Sequence, residues 1–283
     1  MELAKRIGVS THSLFSVTLD EAISQIRNAG FDTFELVPAD FQGAGGFPYS
    51  DLNPGVWPRE CTPDRRAELR GKLGCFSQVT VHAPHLGVLF GSRNPGVHEE
   101  AVRQYTEAIE FALDIGAATV SFHHTGIEPS VDFARKVLPL AHEHNLRFAY
   151  ENGGSMKDLQ PIIDEIDDDR FGLLLDVGHA ANGRMDAVEI IDRFAGKLFE
   201  IHASGVYRWE TRFPIDGWGI DHYPFEMNDG VDYPSIMAKL DEVGFEGPII
   251  LELCYARHND EIIEYCKSAK EHLLSLDLPG GGA

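Results

Sequence analysis

The stretch LLLDVGHA, Leu173 to Ala180, places a carboxylate directly after an unbroken apolar run and an imidazole three residues later. A strand that is apolar throughout is covered on both faces, as in a parallel sheet flanked by helices. A titratable group at its last position therefore needs partners. Read alone, the stretch is equally a turn aspartate followed by a helix-capping histidine. Recurrence of the pattern along the chain decides between the two.

Eight β-rich runs alternate with helical periodicity: RIGVS from Arg6, FDTFELV from Phe31, SQVTVHA from Ser77, ATVSFHH from Ala118, LRFAYEN from Leu146, FGLLLDV from Phe171, KLFEIHA from Lys197 and PIILELC from Pro248. Between them Leu19, Ala22, Ile23 and Ile26, and likewise Val102, Tyr105, Ile109 and Leu113, trace apolar helix faces. Gly30 and Gly244 read as helix stops. Repeated βα units of this kind predict a single α/β domain over residues 1–283, a closed (β/α)8 TIM barrel, whose site lies at the C-terminal ends of the strands. An open doubly wound sheet is the alternative. Against it, the first βα turn, STHSLFSVTLDE, carries no Gly-rich dinucleotide fingerprint, and the chain has no phosphate-binding P-loop. Two long connections, about 38–62 and 204–232, read as loops over the C-terminal face.

Composition narrows the function classes. The chain has 283 residues, 43% hydrophobic and 24% charged, within the ordinary range of globular proteins. Its net charge of −21, from 45 acidic against 24 basic residues, repels nucleic-acid phosphates and anionic membrane surfaces. Neither is an expected partner. The four cysteines form no C-x-x-C pair, and reduced thiols are expected. With no apolar signal core near the first residue and no apolar run long enough to span a bilayer, the expected location is the cytoplasm.

The ends of the expected strands carry the chemistry. His82 ends the third, His123 and His124 the fourth, Glu151 the fifth, Asp176 the sixth and His202 the seventh, with Glu252 near the end of the eighth. On a barrel these groups converge on one small ring, where unpaired negative charges repel and desolvation is costly. A divalent metal resolves the conflict. Glu151, Asp176, His202 and Glu252 form a mixed oxygen and nitrogen donor set suited to Mn, Zn, Mg or Co. His82, His85, His123 and His124 either ligate a second ion, orient substrate or sit as satisfied neutral imidazoles.

The motifs VHAPH (81–85), HTG (124–126), YENGG (150–154), LDVGHA (175–180), IHASGVYR (201–208), DGVDYPSIMAKL (229–240) and ILEL (250–253) together resemble the xylose-isomerase-like TIM barrels, over nearly the whole chain. That family includes sugar isomerases and epimerases, inosose dehydratases and family-2 AP endonucleases. The resemblance implies a metal held by Glu151, Asp176, His202 and Glu252, the two glutamates doubling as acid and base. It also implies that His179 and Arg208 contact substrate oxygens. His82 and His124 match a further metal site of the endonucleases, so a second ion is compatible with the sequence. His222 matches a third-site histidine of the endonucleases and is carried here as a substrate-binding candidate.

The physical logic holds without the family. A proton α to a carbonyl leaves at useful rates only if the enediolate oxygen is stabilised, which a divalent cation does. Glu151 and Glu252, on opposite sides of a substrate, can take and return protons. The expected function is thus a metal-dependent isomerase or epimerase of a sugar, sugar phosphate or keto-polyol, with a keto-cyclitol dehydratase as the nearest variant. An AP-endonuclease-like phosphodiesterase is the other alternative; its D-x-H motif is not met, since Ile220 stands two residues before His222 and Asp221 is displaced by one. Ser204 and Gly205 also stand where the epimerases often place an acidic residue. Loop aromatics, Phe41, Phe47, Tyr49, Trp57, Tyr207, Trp209, Phe213, Trp218, Tyr223 and Phe225, either close over a sugar ring, pack beneath their own loops or meet at a homo-oligomer contact.

Overall fold

The computed structural model describes residues 1–14, 17–38, 57–85, 88, 90–153, 155–208, 219–253 and 261–276, without the side chains of residues 208 and 220. The strands are β1 (Ile7–Ser10), β2 (Thr33–Leu36), β3 (Gln78–His82), β4 (Thr119–His123), β5 (Arg147–Glu151), β6 (Phe171–Asp176), β7 (Leu198–Ala203), β8 (Gly205–Arg208), β9 (Gly219–Tyr223) and β10 (Ile249–Leu251). Eight of them close a barrel in the order β1-β10-β7-β6-β5-β4-β3-β2, and every adjacent pair is parallel. The (β/α)8 reading is therefore correct, and the open sheet is excluded.

Alternation along each strand sorts side chains between two layers. Phe34, Val81, Phe148 and Ile201 join the main apolar core, which also takes in helix residues such as Ile23, Phe111 and Ile191. Ala149, Leu174 and Phe199 form a separate small cluster, with the Arg147 guanidinium 5.1 Å from the Phe199 ring centroid. Glu35, Thr80, Glu200, His82, Glu151, Asp176 and His202 are among the buried polar residues of the strands, and Thr80 Oγ1 to Glu200 Oε1 (2.9 Å) and Glu35 Oε2 to His202 Nε2 (3.0 Å) join non-adjacent strands through the barrel interior.

Local chemistry starts and stops the helices where it should. Thr18 and Glu21 make a reciprocal capping box on helix Leu19–Asn28. Asn94, Asp186 and Asp232 cap later helices by accepting backbone N–H groups. Gly30 and Gly244 follow their helices with φ of 81° and 66°, the left-handed backbone that glycine adopts without penalty.

Residues 204–232 depart from a plain loop. Their described part contains an antiparallel hairpin, β8 with β9, in which the Tyr207 and Tyr223 rings stack at 5.8 Å. Phe225 stacks on Tyr233 at 4.3 Å and so packs beneath its own loop. Trp57 lies 5.8 Å from the Arg59 guanidinium. Phe41, Phe47, Tyr49, Trp209, Phe213 and Trp218 lie outside the described residues.

Candidate metal and active centre

Asp176 answers the question its sequence raised. As the last residue of β6 it accepts the His179 backbone N–H through Oδ1 at 2.6 Å, capping the short helix Val177–Asn182. Its other oxygen, Oδ2, is buried and has no hydrogen-bond partner among the described residues. Asn152, at the end of β5, holds this turn from behind: its Oδ1 accepts from the Asp176 backbone N–H at 2.6 Å and its Nδ2 donates to the Asp176 carbonyl at 3.0 Å. The residue is thus both cap and site, and the free oxygen points to a missing positive partner.

Donor atoms of Glu151, Asp176 and His202 lie within 4.8 Å of one another, and all three side chains are buried. Glu252, just past β10, brings Oε2 to 3.0 Å from His202 Nδ1. The four expected ligands are therefore gathered in one place. Three carboxylates this close cost too much to leave uncompensated. A cation fits the donor set, and it would meet the unsatisfied Asp176 oxygen.

Imidazoles ring these carboxylates. His82 Nε2 and His123 Nε2 each approach Glu151 Oε2 at 2.8 Å, and His179 Nδ1 lies 3.2 Å from Glu151 Oε1. His222 Nδ1 is 3.5 Å from Glu252 Oε2, and His12 Nδ1 contacts Glu252 Oε1. Burial works against charge on Glu151, Glu252, His82, His179 and His222. It would raise Glu151 and Glu252, yet the surrounding imidazoles hold both well below the usual carboxylate range. Burial would lower His82 and His179, but Glu151 lifts His82 to about 9, and Asp176 with Glu151 lifts His179 to about 11. Asp176 is shifted the other way: burial raises its carboxyl, as an acid short of hydrogen bonds should be. His85 is lowered to about 2 by burial and by the charges of His123 and His82.

The expected second pair is not assembled. His124 turns its Nδ1 to the Glu151 backbone carbonyl at 3.1 Å and its ring toward Tyr150. Its neighbour His123, the last residue of β4, makes the carboxylate contact instead, with His82 and His85 grouped beside it. Strand alternation explains the swap, because only one of two consecutive residues faces the barrel axis. The Arg208 side chain lies outside those described. Asp221 proves closer than its displaced motif suggested: its Oδ2 is 3.6 Å from His179 Nε2 and its Oδ1 is 3.7 Å from His222 Nε2.

His12, Glu35 and Glu200 belong to this centre and went unrecognised in the sequence. His12 sits in the turn after β1 rather than at a strand end. Glu35 and Glu200 lie inside strand runs that read as apolar cores. Alternation was the available signal for Glu200, two residues before His202 and on the same face.

Residues 23–273 match the profile described as Xylose isomerase-like TIM barrel. The chain belongs to that family. Among curated relatives, the uncharacterised Methanocaldococcus jannaschii protein MJ1311 is 23% identical over 278 residues, covering 88% of this chain and 84% of that protein. An inosose dehydratase of Geobacillus kaustophilus is 24% identical over 241 residues, covering 72% of this chain and 77% of the relative. Two solved structures have the same fold: a D-tagatose 3-epimerase-like protein (TM-score 0.71, 18% identity, 95% of this chain and 98% of that one) and an IolI protein with a bound zinc atom (TM-score 0.73, 17% identity, 95% and 98%). The proteins that this chain resembles thus include an epimerase-like protein and an inosose dehydratase. Among the described residues no helix is long and apolar enough to cross a membrane.

Proposed function

We propose that the chain is a divalent-metal-dependent isomerase or epimerase of a sugar, sugar phosphate or keto-polyol, with Glu151, Asp176, His202 and Glu252 holding the ion. The observation that carries this reading is the buried, unpartnered Asp176 Oδ2 within a cluster of carboxylates and imidazoles at the barrel mouth. The zinc in the IolI relative and the epimerases among the similar structures support it. The mixed donor set fits Mn, Zn, Mg or Co. A second ion, if bound, would fall to His82 and His123 at Glu151 Oε2, not to His124.

The ion supplies positive charge beside the oxygen on which negative charge grows as an α proton leaves. The side chains do the rest. Glu151, held ionised by its imidazoles, is a competent base, and Glu252 from β10's end can act on the other face of the substrate. His179 and His222 stand 5.4 Å apart, centroid to centroid, at the rim. They are half-buried and suited to donate to hydroxyl or oxyanion groups. Arg208 is a third group proposed to hold substrate. The partner is accordingly a small polyol, consistent with the acidic net charge of −21.

Tritium wash-out from a panel of α-labelled ketoses tests the proposal: metal-dependent release from at least one ketose supports it, and no release from any would refute it. A keto-cyclitol dehydratase is the second reading, favoured by the match to inosose dehydratases and using the same proton abstraction followed by loss of a β-hydroxyl. Appearance of the dehydrated diketone, rather than a new epimer, would select it. Cleavage of abasic-site DNA would instead select the phosphodiesterase, for which the Asp221, His179 and His222 group is the pertinent feature.

A further inference from the structure

We propose that Glu35 is a positioning residue that makes His202 a ligand: it takes up the hydrogen of one imidazole nitrogen and so leaves the other bare toward the donor set. The inference rests on the metal-binding reading above. β2 and β7 are not neighbours in the barrel, so the contact crosses its interior. Glu35 Oε2 lies 3.0 Å from His202 Nε2, while His202 Nδ1 on the other side of the ring is 3.0 Å from Glu252 Oε2.

A neutral imidazole carries one hydrogen, and two carboxylates compete for it. If Glu252 held it on Nδ1, the nitrogen facing the donor set would have no lone pair to offer. Glu35 reverses that outcome, because donation from Nε2 to its oxygen fixes both the tautomer and the ring plane. Among the described residues no other group donates a hydrogen bond to the Glu35 carboxylate: its second oxygen, Oε1, is buried without a partner. Glu200 lies alongside, within the same group of donor atoms, but makes no hydrogen bond to His202: its Oε1 accepts from Thr80 Oγ1 at 2.9 Å and its Oε2 is buried without a partner among the described residues. A structural role explains Glu35 poorly. A fully buried carboxylate anchored at one oxygen costs more than an apolar side chain of similar size would.

The test titrates metal-free protein with Co(II), following its visible absorption bands, and with Mn(II), following the free ion. Glu35→Gln is expected to weaken binding by ~10–100-fold and to alter the Co(II) bands, the usual cost of losing a partner behind a metal-bound histidine. Glu35→Asp, which keeps the charge one methylene further back, should lose less and serves if the first variant does not fold. Thr80→Val leaves the Glu35 to His202 contact in place and should bind like wild type. Thermal melts of the metal-free proteins report folding separately. Wild-type affinity and bands in either folded Glu35 variant would overturn the inference, as would equal weakening by Thr80→Val. A flat titration of the wild type would instead bring down the metal reading, and this inference with it.

Discussion

His82 Nε2 lies 2.8 Å from Glu151 Oε2 while His82 Nδ1 is 2.8 Å from the backbone carbonyl of Ala83. The carbonyl can only accept, so Nδ1 carries a hydrogen. A neutral His82 would then turn a bare nitrogen toward a carboxylate, lone pair against lone pair. Something positive must sit between them, a proton in the metal-free protein or a cation in its place.

Stability of the metal-free protein should therefore fall with alkaline pH. Burial opposes charge on His82, but Glu151 outweighs it and raises the group from 6.5 to about 9. A group raised on folding stabilises fully below its unfolded value and loses that contribution as pH climbs through the folded one. The thermal midpoint of metal-free protein should drop between about pH 6.5 and 9. His82→Gln, which can donate an amide N–H to Glu151 without titrating, should flatten that slope. An unchanged slope in the variant would show that His82 is not the group responsible.

Asp176 performs two tasks with two oxygens, and substitutions can separate them. Asp176→Asn keeps an acceptor for the His179 N–H but removes the charge of the unpartnered oxygen. Metal-free stability should hold or rise, since burial and the neighbouring carboxylates Glu151 and Glu252 disfavour the ionised form. Metal affinity should collapse by orders of magnitude. Asp176→Ala removes the cap as well and should cost an additional ~1 kcal/mol of stability. Calorimetric titration alongside thermal melts separates the two effects.

The barrel was legible because it rests on patterns repeated eight times. The third to the eighth strands each carried a carboxylate or imidazole at or near the end of the run, and no single misread element could overturn the count. The ligands Glu151, Asp176, His202 and Glu252 were visible for the same reason. What was hidden depended on facing. His123 and His124 are adjacent, and only the true last residue of β4 decides which one meets Glu151. Glu35 meets His202 across 167 residues of chain, through an interior that no local pattern reveals. His12 reaches Glu252 from a 3-10 turn, where periodicity carries no signal.

Proton transfer should divide between the two glutamates. Glu151→Gln keeps the shape but gives up one acceptor and the charge that would hold the ion, so it is assayed at metal concentrations that saturate the variant; exchange should then fall by ~10²–10⁴-fold, the usual contribution of a general base. Binding of substrate, read as KM, should change much less. With an epimerase, Glu252→Gln should spare wash-out from one epimer and stop it from the other. Equal retention of exchange from both epimers in Glu151→Gln would remove that residue from the mechanism.

Gly172 gives a prediction about the barrel itself rather than its mouth. It lies on β6 opposite Ala149 of β5, where a Cβ would come within 2.1 Å of the Lys197 carbonyl oxygen and 2.9 Å of the Phe199 ring. The first neighbour is backbone of the 3-10 turn immediately before β7, beside the register shift between Leu173 and Leu174, so the strand cannot yield without moving its partner. Gly172→Ala should destabilise by ~1–3 kcal/mol or more, as overpacking of a tight interior does. Gly71 is the contrasting case. It sits within helix Pro63–Leu73 with nothing inside 4 Å of a new Cβ, so Gly71→Ala should stabilise by ~0.5–1 kcal/mol through lost freedom in the unfolded chain. Thermal melts of the two variants should shift in opposite directions. Metal affinity of the folded Gly172→Ala protein should stay at the wild-type level, because Gly172 lies four residues before Asp176 on β6, well below the mouth.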